Sequence, residues 1–185
     1  MKISINHLKQ YYADLSSDAK AMRNRFDELG LEVKRLSKES SDIILTLELL
    51  ANRGDHMSYW GVATEFAGRF GGQVKMPELA SLKVGKALLT LKNESELCLR
   101  YTATILEVDD LSKILPPEIL YPLEVAEIHS IDAAVDTTNL VNLELGQPTH
   151  LFDADKIKGG ITIRLSRQHE TAHLLFQEKP TILPG

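Results

Sequence analysis

The chain has 185 residues, 43% hydrophobic and 25% charged, with 21 Lys+Arg against 26 Asp+Glu for a net charge of -5. This is the composition of a folded chain with room for one domain or two small ones. Without an apolar run of membrane-spanning length or a signal-like apolar core behind Lys2, the expected setting is cytoplasmic, with no membrane partner. The lone Cys98 can form neither an internal disulfide nor a cysteine-rich metal site. Basic side chains form no stripe, so any RNA contact by this chain alone is expected to be weak and local.

The opening reads as a short strand, Lys2 to Ser4, then a short helix with Leu8, Tyr11 and Tyr12 on one side. Leu15, Ala19, Met22, Phe26 and Leu29 form an apolar helical stripe, which predicts a helix over about 17–29 capped by Ser16 or Ser17 and ended by Gly30. Leu31 to Leu36 and Ile43 to Leu50 read as a hairpin joined by the polar stretch 37–42. Asp55 can cap a second amphipathic helix carrying Met57, Trp60, Ala63, Phe66, Ala67 and Phe70, stopped by Gly71-Gly72. The fold class is therefore α+β, with an N-terminal β-α-β-β-α unit over residues 1–72.

Residues 73–85, with Pro77 and Gly85, read as a connector. Residues 86–185 read as a second α+β unit. Its expected strands are Ala87 to Leu91, Arg100 to Val108, Ile131 to Val135, Ile161 to Leu165, His173 to Phe176 and Thr181 to Leu183. Helices are expected from Pro116-Pro117 to about Ile128, restarting at Pro122, and from Thr138 to Leu145, ended by Gly146.

Two segments hold candidate chemistry. His169-Glu170-Thr171-Ala172-His173 spells the H-E-x-x-H of zinc proteases, which needs both His on one helical face and a third ligand. The flanking runs instead read as a hairpin, so no metal is assigned. Residues 136–153 gather Asp136, Asn139, Glu144, Gln147, His150 and Asp153 around a helix and a turn fixed by Gly146 and Pro148. These residues either form a polar pocket or serve locally, with Asp136 capping the helix, Asn139 and Gln147 tying backbone groups in the turn and His150 a satisfied interior imidazole.

The run Ser130-Ile131-Asp132, Val135-Asp136, Thr138-Asn139, Leu143 to Pro148, His150 and Phe152-Asp153, followed by Gly159-Gly160-Ile161, resembles the signature of the bacterial phenylalanyl-tRNA synthetase beta subunit. Gly30-Leu31-Glu32-Val33, the motif Asn52-Arg53-Gly54-Asp55, and Arg100-Tyr101 resemble the same subunit's N-terminal unit and the start of its editing domain. The resemblance implies a B3/B4-type editing domain that hydrolyses mischarged tyrosyl-tRNA, with Asn139 and His150 on motif positions of the editing pocket. His129 stands where the family carries a basic side chain. Aminoacyl-bond formation, with its ATP and Mg, would belong to the alpha subunit, so no cofactor is expected here.

Three departures qualify that resemblance. The family's OB-type tRNA-binding barrel is replaced by the short turn 37–42, and only the first half of the editing domain is matched. The glycine-rich loop and acidic residue that complete the family's pocket have no counterpart in this sequence. The expected role is thus a component, fragment or truncated paralogue of the beta subunit. The alternatives are a free-standing editing hydrolase acting in trans and a decayed paralogue serving as a binding or scaffold protein. An alpha subunit or a second copy of the chain is the expected partner, with Leu174, Leu175, Phe176, Ile182 or Leu183 near a homodimer contact.

Overall fold

In the computed structural model, residues 1–185 are described except 82, 84, 86, 87, 109, 175, 176 and 185. The expected strands that began at Ala87 and ended at Phe176, and the contact residues Leu175 and Phe176, therefore lie partly or wholly outside the described residues.

The N-terminal order follows the amphipathic patterning. Strand β1 (Lys2–Ser4) runs into helix α1 (Ile5–Leu8), then α2 (Ala19–Glu28), β2 (Val33–Glu39), β3 (Asp42–Leu47), a 3-10 turn (Gly54–Met57) and α3 (Tyr59–Phe70). The sheet is antiparallel in the order β1-β3-β2, with Ile3 opposite Leu45 and Leu36 opposite Leu45 across the central strand. Met22 and Phe26 of α2 and Tyr59, Val62, Ala63 and Phe66 of α3 are buried with Ile3, Leu45 and Leu47 in one apolar core. The Phe26 and Phe66 rings meet edge-on at 4.9 Å, a geometry that adds to their area burial.

Local caps shift several boundaries. Asp18, not Ser16 or Ser17, caps α2 by accepting from the Ala21 amide. Ser58, not Asp55, caps α3 by accepting from the Gly61 amide, because the 3-10 turn separates Asp55 from the helix. The hairpin pairs as far as Glu39 opposite Asp42, so its turn is Ser40-Ser41 and not the whole stretch 37–42. Ser40 takes a positive φ of 54° there, which tightens the connection and lets the polar residues 37–39 extend the ladder.

Helices α4 (Pro117–Val125) and α5 (Ala133–Leu145) follow. Pro122 lies inside α4 rather than restarting it. The expected strand Ile131 to Val135 is instead the start of α5, because Asp132 accepts from both the Ala134 and Val135 amides and so caps a helix that begins five residues before Thr138.

The chain divides into two compact units, Met1–Ser81 with Asp109–Leu151, and Leu82–Val108 with Phe152–Gly185. Boundaries at 72 and 86 do not match this division. Residues 109–151 sit with the N-terminal sheet because Leu123 and Leu143 are buried in its core and Leu120, Ile128 and Leu140 pack against it. The second unit holds a parallel pair, β4 (Leu91–Asn93) with β5 (Ile161–Ile163), and an antiparallel pair, β6 (Thr171–Ala172) with β7 (Thr181–Ile182). Residues 100–108 carry no strand, and none of this unit's described residues is buried. No helix among the described residues is long and apolar enough to cross a membrane.

Candidate functional site

Helix α5 presents the residues that the sequence singles out. Asp136, Leu140 and Leu143 define its inward stripe, with Asp136 and Leu143 buried and Leu140 packed on the core. Asp136 does not cap the helix. It lies one turn inside, where its carboxylate accepts from the Ser130 hydroxyl at 2.5 Å and the Ile131 amide at 2.9 Å. It therefore ties the incoming loop to the helix.

Asn139 sits beside this stripe and is partly buried, and no hydrogen bond among the described residues engages its amide or that of Gln147. The expectation that both would tie backbone groups does not hold. Gly146 closes α5 in the left-handed conformation at φ 70°, where a Cβ would come 3.3 Å from the Ser58 side chain. The helix end thus abuts the start of α3, and a side chain there would meet both strain and crowding. Beyond it, Gln147, Pro148 and His150 are exposed, so His150 is not the interior imidazole expected, and His129 is exposed in the loop between α4 and α5. The three pocket candidates thus stand on three successive segments: a loop, a helix and the stretch that leaves it.

Four further side chains anchor this region. Asp42, buried at the start of β3, accepts from the Ser4 hydroxyl, the Asn6 amide at 2.9 Å, the Ile43 amide at 2.7 Å and the Tyr121 hydroxyl at 2.9 Å. One carboxylate therefore joins the hairpin, the entry to α1 and helix α4. Burial, and then the hydrogen bond to Asp42, push the Tyr121 hydroxyl up to about 12. His7 and Glu144 meet at 2.9 Å between Nε2 and Oε1, linking α1 to the last turn of α5.

Around the Asn52-Arg53-Gly54-Asp55 motif, Arg53 donates to Asp55 through Nε at 3.0 Å and Nη2 at 2.7 Å, and also to Glu65 of α3. The guanidinium holds Asp55 down to about 2 and lowers Glu65 as well. Asp55, His56 and Glu65 bring one ligand atom each within 4.8 Å of one another. Their charge is already met by Arg53, so the cluster reads as a clasp between the 3-10 turn and α3. Asn52 is exposed beside it.

The H-E-x-x-H stretch lies in the second unit and is not helical. His169 adopts a positive φ of 62°, and Thr171–Ala172 is strand β6. Arg164 grips Glu170 in a bidentate pair at 2.6 and 2.8 Å and holds its carboxyl down to about 2. A carboxylate so committed is poorly placed to act as a base on a metal-bound water. Asp153 caps a short 3-10 turn and pairs with Lys156 at 3.1 Å, a local role.

Residues 97–185 match the B3/4 domain family. The chain is 36% identical over 145 residues to the phenylalanine–tRNA ligase beta subunit of Pseudomonas fluorescens, covering 76% of this chain and 18% of that protein. The beta subunit of Pseudomonas syringae pv. tomato shares 33% identity over 166 residues, 88% of this chain and 20% of its own length. That of Ralstonia nicotianae shares 32% over 156 residues, 83% and 19%. This chain is a relative of the phenylalanine–tRNA ligase beta subunits. It spans about a fifth of the length of these curated relatives. In this beta-subunit relative, the B3/4 match starts in the second compact unit, includes α4 and α5 of the first, and ends in the second.

Sequence reasoning missed Asp42, Tyr121 and His7 as anchors and passed over Glu144 as one more polar residue of its motif. Asp42 and Tyr121 are 79 residues apart and His7 and Glu144 are 137 apart. No local spacing could have paired them. The only available hint was an Asp at the head of an otherwise apolar strand, a placement that demands partners once buried.

Proposed function

We propose that this chain serves tRNA aminoacylation as a beta-subunit-type component, contributing one wall of an editing-type pocket rather than forming the aminoacyl bond. The observation that carries the reading is the match of residues 97–185 to the B3/4 domain with 32–36% identity to the beta subunits over most of the chain. The Asn139 amide supports it, since a partly buried polar side chain that no hydrogen bond engages among the described residues is available to a ligand.

In this reading Asn139 donates to or accepts from the aminoacyl-adenosine end, and His150 and His129 supply further polar contacts. Deacylation requires the ester carbonyl and a water to be held together with donors aimed at the developing oxyanion. The residues present suit positioning better than strong base catalysis. An alpha subunit is the proposed partner, with a second copy as the alternative. The exposed Leu97, Leu99, Leu165 and Ile182 of the second unit support a covered surface in an assembly.

The test is to incubate the purified chain with phenylalanine-specific tRNA mischarged with tyrosine, with and without a synthetase alpha subunit, beside Asn139→Ala/His150→Ala. The expected result is measurable binding of the aminoacyl end with deacylation near background, because Asn139, His150 and His129 offer positioning without a strong base, and a single oxyanion donor is typically worth about 10²–10³ in rate. Robust deacylation by the chain alone, lost in the variant, would instead establish a hydrolase acting in trans. Absence of any tRNA-end binding under all conditions would refute the reading.

A further inference from the structure

Glu144 lies in the last turn of α5, where His7 of the N-terminal helix α1 reaches the proposed pocket helix. His7 is 6% exposed, and its ring lies edge-on to Tyr59 at 4.6 Å and to Tyr11 at 5.9 Å. Its Nε2 meets the Glu144 carboxylate at 2.9 Å. An ionised carboxylate can only accept, so His7 is the donor and its tautomer is fixed with the proton on Nε2. The Tyr11 hydroxyl faces the same carboxylate, and burial together with the Glu144 charge raises it well above the usual phenol range. On its other side, the helix end touches Ser58 through the close approach of Gly146.

We propose that His7, with Tyr11, is a positioning residue. Through Glu144 it fixes the last turn of α5, and so sets where the segment Gly146 to His150 departs toward the pocket that α1 itself does not line. The pocket part of this inference rests on the function proposed above; the latch itself rests on geometry alone. The last carbonyl of α5 to accept a helical bond is that of Asn142, from the Gly146 amide at 2.9 Å, so for residues 143–146 a side-chain tether supplies restraint that the backbone lacks at a helix end.

The substitution His7→Phe keeps a ring against Tyr59 and Tyr11 and removes the donor, whereas Glu144→Ala removes the acceptor and Glu144→Gln keeps an accepting oxygen. Amide hydrogen exchange of residues 142–146, referred to residues 43–47 of β3, is the first readout. His7→Phe and Glu144→Ala should each speed local exchange about tenfold or more, Glu144→Gln should remain near the parent, and the double variant should add little to either single one. Unchanged exchange, or equal acceleration in β3, would overturn the latch.

The second readout is the affinity for non-hydrolysable 3′-tyrosylamino-3′-deoxyadenosine, expected to weaken severalfold in His7→Phe and to recover in Glu144→Gln relative to Glu144→Ala. If the parent binds this probe and His7→Phe binds it equally well, the positioning role is refuted. If the parent does not bind it, the aminoacyl-end reading falls, and exchange alone decides the latch.

Discussion

Replacing Asp42 by Ala should cost about 3–5 kcal/mol of folding stability, a large part of the total for a small domain. The figure comes from the four donors that converge on this carboxylate. Ser4 is fully buried and also caps α1 by accepting from the His7 amide, so its hydroxyl proton would be stranded without solvent, at about 1–3 kcal/mol. The Asn6 amide is part-buried and loses a charge-assisted bond. The Tyr121 hydroxyl is also part-buried and can recruit water, so Tyr121→Phe should cost only about 1 kcal/mol. Asp42→Asn should fall between, since the hydroxyls of Ser4 and Tyr121 can rotate to accept from an amide nitrogen. Urea unfolding followed by the emission of Trp60, the single tryptophan, measures all three. The double variant Asp42→Ala/Tyr121→Phe should be no less stable than Asp42→Ala alone. Strict additivity, or a loss below about 1 kcal/mol in Asp42→Ala, would refute the view that this carboxylate binds α4 to the N-terminal sheet.

Gly61→Ala should abolish or severely weaken folding, by more than about 3 kcal/mol, because a Cβ there would lie 1.7 Å from the Asp55 carbonyl oxygen; a thermal melt within a few degrees of the parent would contradict it. Asp55 is depressed from 3.8 to about 2 by Arg53, so its contribution is present above about pH 4 and is lost as pH falls toward 2. Arg53→Met should flatten that acid limb of the stability curve, modestly because Asp55 is half-exposed; an unchanged limb in acid titrations followed by circular dichroism would argue against the clasp. The stretch 169–173 should hold no stoichiometric zinc after dialysis without chelator, and elemental analysis finding one zinc per chain, lost in His169→Ala or His173→Ala, would reverse that assignment.

The N-terminal unit was legible because its helices carry single apolar stripes and its strands are long enough to show patterning. Errors cluster where two residues compete for one role. Asp132 and Asp136 are both plausible caps, and choosing Asp136 turned the first helical turn of α5 into a strand; only the pairing of Asp136 with Ser130 and Ile131 separates them. Asp55 and Ser58 pose the same problem at α3, resolved by a 3-10 turn that has no periodic signature. The grouping of α4 and α5 with the first sheet was not legible, since a composition shift at a Pro- and Gly-containing connector says nothing about which sheet later helices cover. In the second unit, two- and three-residue strands are too short for alternation to show. For the pocket candidates, the motif carries identities and order; what it does not carry is the distant partners that meet this region, His7 at Glu144 and Asp42 at Tyr121.

The tight Ser40-Ser41 turn makes the β2–β3 hairpin a natural graft point. The strand ends it joins are a paired set, Glu39 opposite Asp42, and antiparallel partners lie only about 5 Å apart. A folded cargo whose own termini are adjacent could therefore be spliced between those serines at little entropic cost. The downstream junction has no such latitude: the next residue, Asp42, has both carboxylate oxygens already engaged, so an insert that rotates it would release α4 and the entry to α1 together.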